Sequence, residues 1–424
     1  MIRHFKTLSS GWFATVGATA LFGVTLPAAP AHAAPLSCGQ TVTTSVVLQA
    51  SLLNCPGDGL VIGSHGITVD LNGHTLDGIG LGVGIRNDGF DAVTLTNGAT
   101  TQGRVQEFDY GVRLNPGTSG AVVEKLALQG NEFSGVEVNG ADTNTQVRNN
   151  LIERQAQRGV TLTGGTRNAV IVNNTLTSNR GVSVFVENSP DNRLEGNRIT
   201  GSGDAGLVLT GSSGNSLLTN SVGGSSDAAI RLQLGSNNNL VQGNTSTQNA
   251  DAGLTVSDST GNRLLSNDLR GSGDSGIVLQ SAHSTTVTGN DVSRNTGGVE
   301  LRFSNNNLIR SNIASDTTGD GISLAQSINN DVEFNQADRN GSRGIYVVGD
   351  APAASGNALV GNTANANNGD GIIVSKSVHT LQGNTARTNK GWGVSVDPGN
   401  VDAGGNRASG NGQAAQCKGV VCTP

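Results

Sequence analysis

A short element recurs along the chain at steps of 22 to 27 residues. It consists of Gly or Ala, an aliphatic residue, any residue, and a second aliphatic residue. It starts at Gly111, Gly135, Gly159, Gly181, Gly206, Ala229, Gly253, Gly276, Gly298, Gly321, Gly344, Gly371 and Gly393. A column of asparagine runs in phase with it: Asn150, Asn174, Asn197, Asn220, Asn244, Asn267, Asn290, Asn312, Asn335, Asn362, Asn384 and Asn406. An aliphatic residue usually stands three places before the Asn, as at Leu194, Leu217, Leu264, Val332 and Leu381. A second small polar residue follows five places after it, often Asn again, as at Asn179, Asn249, Asn295, Asn340, Asn367, Asn389 and Asn411.

Each repeat holds two or three stretches of alternating residues, too short for helices and suited to brief strands. A unit of this size cannot bury its own apolar face and must stack on its neighbours. Stacked parallel coils place equivalent residues about 4.8 Å apart. Inward pairs such as Val136 and Val138, Leu207 and Leu209, or Ile277 and Leu279 then form continuous aliphatic stacks. Asn suits the turn because it tolerates left-handed backbone angles and its amide both donates and accepts hydrogen bonds. Composition agrees. The 62 Gly and 46 Asn disfavour helix interiors, and aromatics at 3% imply a slim aliphatic core without bulky side chains. Leucine-rich repeats need a denser Leu pattern, and hexapeptide or nonapeptide solenoids a shorter period. Parallel crossovers are right-handed almost without exception. The expected fold is therefore all-β, a single right-handed parallel β-helix of about 15 coils and roughly 70 Å, in place of the several domains that 424 residues would suggest.

Residues 1–33 read as an export signal, with Arg3 and Lys6 before an apolar stretch from Trp12 to Leu26 and cleavage expected after Ala33. Without them the chain carries 24 basic and 32 acidic residues, a net −8 with no basic run. That excludes nucleic acid as a partner, and no later stretch suits membrane insertion. Cys38 and Cys55 lie at one end, Cys417 and Cys422 at the other. Four cysteines allow three connectivities, and local pairing within each end is expected. The expected organisation is signal 1–33, N-terminal cap 34–60 with Cys38–Cys55, β-helix 61–412, and C-terminal cap 413–424 with Cys417–Cys422, as a monomer secreted from the cell.

The run Gly66-Ile-Thr-Val-Asp-Leu-Asn-Gly-His-Thr-Leu-Asp-Gly78 and the repeats after it resemble secreted right-handed parallel β-helix proteins of the pectin-lyase-like superfamily. That group includes carbohydrate-binding and sugar-hydrolase repeats and metal-delivery accessory proteins. The resemblance implies an extracellular polysaccharide or cell-surface glycan as partner. It does not transfer catalytic residues. The Asn-Thr-Asp and Gly-His-Gly motifs of pectin hydrolases, the Trp-Ile-Asp-His of pectate lyases and the Asp-Pro-His of alginate epimerases do not occur. The nearest fragment to the last is Asp397-Pro398-Gly399. Metal delivery is disfavoured. After the signal there is no Met, and His65, His74, His283 and His379 stand far apart.

Two constellations stand out from the repeat. Asp204, Asp227, Asp251 and Asp274 precede the Gly or Ala on four successive coils. A ladder of like charges suits shared calcium, the one cofactor the sequence suggests. The plainer account is Asp opening a turn and facing water. The second lies on the outward face of the Gly-aliphatic strands, where Arg231, Gln233, Gln280, Glu300, Arg302 and Tyr346 interrupt small or aliphatic residues. Glu300 and Arg302 share one strand face, with Tyr346 two coils on, about 10 Å away. Arg, Glu and Tyr are the types a polyuronate lyase or C5-epimerase would use to neutralise a sugar carboxylate and move the C5 proton. They equally make a solvated face with an ion pair. Arg231, Gln233, Gln280 and Trp392 are candidate sugar contacts, Trp392 alternatively a cap over the last coils. A non-catalytic adhesion or binding scaffold is the competing reading, because the uniform coils leave few loops to wall an active site.

Overall fold

The computed structural model describes residues 36–140, 144–349, 355–376 and 378–424. The expected export signal lies outside them. Leu36–Pro424 forms one compact unit, and among the described residues there are strands and turns but no helix. Among these residues no helix is therefore long and apolar enough to cross a membrane.

Every coil contributes to the same three faces, and every pairing is parallel. The first face is a 17-stranded sheet that opens at Gln40–Val42 and closes at Cys417–Lys418. The second is a 16-stranded sheet from Val46–Val47 to Val401–Asp402. The third starts at Leu52–Cys55 as nine strands and ends as three, Thr385–Arg387, Asn406–Ser409 and Cys422–Thr423. Single bridges through Thr245, Asp268, Asp291, Ile313, Gln336, Thr363 and Thr385 join the two parts. This is the right-handed parallel β-helix that the repeat predicts. Residues 40–55, within the stretch expected as a cap, supply a full coil whose strands pair at Leu60, Val69 and Leu76. The disulfides Cys38–Cys55 and Cys417–Cys422 are formed, one near each end.

One core runs through the interior. Val112, Val136, Val160, Val184, Leu207, Ile230, Leu254 and Ile277 follow one another in strict register on the first face, all fully buried. Each such side chain contributes roughly 1.5–3 kcal/mol on burial. The core is not wholly without bulk. Phe108 is completely buried, and space for it comes from Gly59, Gly78 and Gly84, where an added Cβ would lie 3.2, 2.7 and 3.1 Å from its ring.

The register corrects two readings of the repeat. At the fourth of the repeat elements Val184 stacks on Val160, so Ser183 and not Gly181 holds the column position. The tract Gly181-Val-Ser-Val-Phe-Val alternates with period 2 and can be read in either of two frames, and stacking between neighbours decides. Glycine dominates this column because coils approach closely there: a Cβ on Gly159 would lie 2.5 Å from the Ser183 carbonyl oxygen. The second correction concerns asparagine. The left-handed residue at each turn is the one before the Asn, as at Asn149, Asn173, Thr219, Ser266, Ser311 and Phe334. The Asn itself is buried and serves hydrogen bonding. Asn220 is typical. Its backbone N–H and Nδ2 donate to Asn244 Oδ1 at 2.8 and 3.0 Å, and Nδ2 also donates to the Leu194 carbonyl at 2.9 Å. The same relay links each successive pair from Asn150 to Asn406.

A further amide column went unread in the sequence. Asn192, Asn215, Asn239 and Asn262 are linked in the same way. After Thr285 the column resumes at Asn307, Asn330 and Asn357. It passes to His379, whose Nδ1 accepts from the Asn357 N–H at 3.3 Å. Its interval tracks the first column, but Ser and Asn crowd that turn and hide the spacing.

Candidate functional site

On the first face inward residues are aliphatic, so function rests on the outward positions of its strands. From Arg86 the central outward column runs Arg113, Glu137, Thr161, Phe185, Val208, Arg231, Thr255, Val278, Glu300, Ser323 and Tyr346. Glu300 and Tyr346 thus share one column two coils apart, as the spacing predicts. They are not free groups. Arg302 Nε lies 2.5 Å from Glu300 Oε1. Tyr346 lies under the guanidinium of Arg343 at 3.5 Å, and Asp320 holds that guanidinium through two bonds of 3.0 Å. Gln280 pairs in register with Arg302. Trp392 is half-buried, with its backbone N–H donated to Asp370 Oδ1 at 2.6 Å.

The aspartate ladder is broken up by its neighbours. Arg231 reaches Asp227 and, at 3.5 Å, Asp204. Asp204 and Asp227 also accept the N–H of the residue that follows each, at 2.7 and 2.6 Å, the local geometry of a turn-opening aspartate. Asp251 and Asp274 meet through backbone, Asp274 N–H to the Asp251 carbonyl at 3.4 Å. Among the described residues no three His, Cys, Asp or Glu side chains gather as a group that could hold a metal ion.

A groove of about 340 Å³ opens on this face. Its floor is apolar: Val182 and Val208 are buried although they point away from the coil interior, and Phe185 packs on them. Arg158 and Gln157 flank one side, Asp204, Arg231 and Gln233 the other. Gln233 donates to Thr210 Oγ1 at 3.2 Å. The groove therefore gathers three residues singled out from the sequence. A smaller recess of about 200 Å³ collects Asp274, Glu300 and Asp320.

Sequence reading missed a cluster next to the groove, formed by Tyr110, Arg113, Glu137 and Arg158. Arg113 and Glu137 occupy the template position later held by Arg231 and Glu300, so the signal was present in Gly111-Val-Arg and Gly135-Val-Glu. Glu137 is only 9% exposed. Burial pushes its carboxyl above the usual range, outweighing the attraction of Arg113. Arg113 Nε lies 2.6 Å from Glu137 Oε2, a close ion pair. Arg113 also lies over the Tyr110 ring at 4.6 Å. Burial, then the charge of Glu137, raises the Tyr110 phenol.

No curated protein sequence matches the chain. Solved structures with a similar fold include the A-module of mannuronan C-5 epimerase AlgE4 from Azotobacter vinelandii, at 14% identity over 87% of this chain and 90% of that one, TM-score 0.49. Others are the periplasmic alginate epimerase AlgG, at 13% over 88% and 77%, TM-score 0.41, and the DFA-IIIase of Arthrobacter chlorophenolicus A6, at 16% over 62% and 81%, TM-score 0.40. At such identities the likeness is one of fold alone. Residues 42–191, 162–297 and 266–420 match the family described as right handed beta helix region. Those overlapping matches span nearly all the described coils, and the chain belongs to the right-handed β-helix family.

Proposed function

We propose that this is an exported β-helix protein that binds an extracellular polysaccharide in the groove over Val182, Phe185 and Val208. The observation that carries the reading is the groove itself. An apolar floor flanked by guanidinium and amide groups suits the mixed surface of a sugar, whose C–H faces pack on apolar atoms while its hydroxyls hydrogen-bond. Export rests on the signal-like residues 1–33 and on two disulfides, which persist in oxidising compartments. Retention of the purified chain on a panel of immobilised polysaccharides tests the binding. At least one should retain it, and Phe185→Ala should weaken retention about tenfold while the melting temperature stays within a few degrees. A chain that no polysaccharide retains, or a Phe185→Ala variant retained as well as the parent, contradicts the reading.

Binding without turnover is favoured over lyase or epimerase chemistry by one observation. Glu300 and Arg302, the acid and base types that suggested catalysis, neutralise each other, and Tyr346 is covered by Arg343. Incubation with alginate, pectate and other polyuronates, with and without calcium, decides between the two. New unsaturated ends or inverted C5 centres, lost on Glu300→Ala, would restore the enzymatic reading.

A further inference from the structure

Six arginines share the outward side of the first face, and five are matched to carboxylates. Arg86 pairs with Asp58 and Asp88, Arg113 with Glu137, Arg231 with Asp227 and Asp204, Arg302 with Glu300, and Arg343 with Asp320. The sixth is Arg158, and among the described residues it makes no ion pair. Its charge acts on Glu137, whose close partner is Arg113. Arg158 lies over the ring of Phe185, its guanidinium carbon 3.9 Å from the centroid, and it lines the groove.

Stacking engages the face of a guanidinium and leaves its in-plane N–H donors directed outward. Phe185 holds that plane fixed, so little conformational freedom remains to be lost when an acceptor arrives. The neighbouring floor, Val182 and Val208, is at most 8% exposed, and beside such apolar surface a charge-assisted hydrogen bond is stronger than in open water. A preoriented, half-buried cation without a carboxylate, beside a groove shaped for a sugar, is a receptor for an anionic substituent.

We propose that Arg158 is the anion anchor of the groove, receiving a carboxylate or sulfate ester carried by a sugar of an acidic glycan. The inference rests on the polysaccharide reading above and narrows it to acidic chains. Gln157 and Gln233, on either side of the groove, would take neutral hydroxyls of the same segment. Arg231 keeps its own aspartates and sets the opposite wall.

The test uses the full chain and three sets of oligosaccharides of matched length: oligouronates, the same oligomers with their carboxyls reduced to alcohols, and sulfated neutral oligomers. At least one anionic set should bind about tenfold or more tightly than the neutral set, and added salt should erode the preference. Arg158→Ala should abolish the preference, bringing the anionic sets down to the affinity of the neutral set. Arg302→Ala, at an already paired arginine, should retain it. Arg158→Lys, which keeps the charge without the planar fork, should fall between and serves if the alanine variant melts early. Preference for the uronates alone identifies a carboxylate, and for the sulfated set alone a sulfate ester. Equal binding of anionic and neutral sets, or a preference that survives Arg158→Ala, overturns the anchor and leaves the polysaccharide reading standing. Absence of binding by any set overturns both.

Discussion

Asn220 shows what a single side chain does here. Its Nδ2 donates to the Leu194 carbonyl of the preceding coil and its Oδ1 accepts the Asn197 backbone N–H there, and equivalent bonds recur at every rung from Asn150 to Asn406. Replacing one member by alanine leaves buried donors and acceptors on both adjacent coils, at about 1–3 kcal/mol for each unsatisfied group. Asn244→Ala should therefore lower the melting temperature by several degrees, whereas Asn368→Ala, at an exposed position, should change it little. Thermal melting of the two variants checks this. His379 is the exception in the neighbouring column. It takes an Asn position, its Nε2 is buried without a partner, and burial lowers its pKa to about 4. Protons then bind the unfolded chain more tightly than the folded one. Stability should be unaffected by this group above about pH 6.5 and should fall as the pH drops from there towards 4, by roughly 3 kcal/mol in all. His379→Asn should remove that acid-dependent loss. Denaturant melts at pH 7 and pH 4.5 measure it, and an unchanged pH dependence in the variant would contradict the assignment.

Strands of two to seven residues cannot hold a register alone, so the register belongs to the stack. This explains what the sequence disclosed and what it concealed. Column positions with a unique residue type, such as the first Asn column, were legible directly. The Ser183 coil was not, because Gly181-Val-Ser-Val-Phe-Val offers two frames of equal alternation and only contact with Val160 and Leu207 separates them. The groove was half legible. Arg231, Gln233 and Asp204 stood out as polar interruptions, while Arg158 and Phe185 come from strands whose residues meet only after folding. The pairing of Glu300 with Arg302 followed from alternation, and the stacking of Arg343 on Tyr346 did not. Glycine in the strand-opening column makes an element-level prediction. At Gly344 a Cβ would lie 2.5 Å from the Gly371 carbonyl oxygen. Gly344→Val should destabilise by about 1–3 kcal/mol through overpacking, read as a fall in denaturant midpoint. Ala229→Gly, where the column already tolerates a methyl, should cost about 1 kcal/mol or less.

The described unit is one stack of coils on one continuous core, with a disulfide near each end. Its outward surface is largely self-neutralised: most arginines sit beside a carboxylate, the aspartate ladder is interrupted by Arg231, and loops between coils are short. Against that background the groove from Arg158 to Gln233 is where apolar floor, amides and an unmatched guanidinium coincide. A glycan bound there should shield the backbone of four successive coils and leave the other two faces untouched. Hydrogen exchange of the full chain, with and without a saturating acidic oligosaccharide, tests this most directly. Protection is predicted in segments 156–163, 181–187, 204–210 and 228–233. Protection confined to the second or third face, or no difference on binding, would contradict the assignment of this groove as the functional surface.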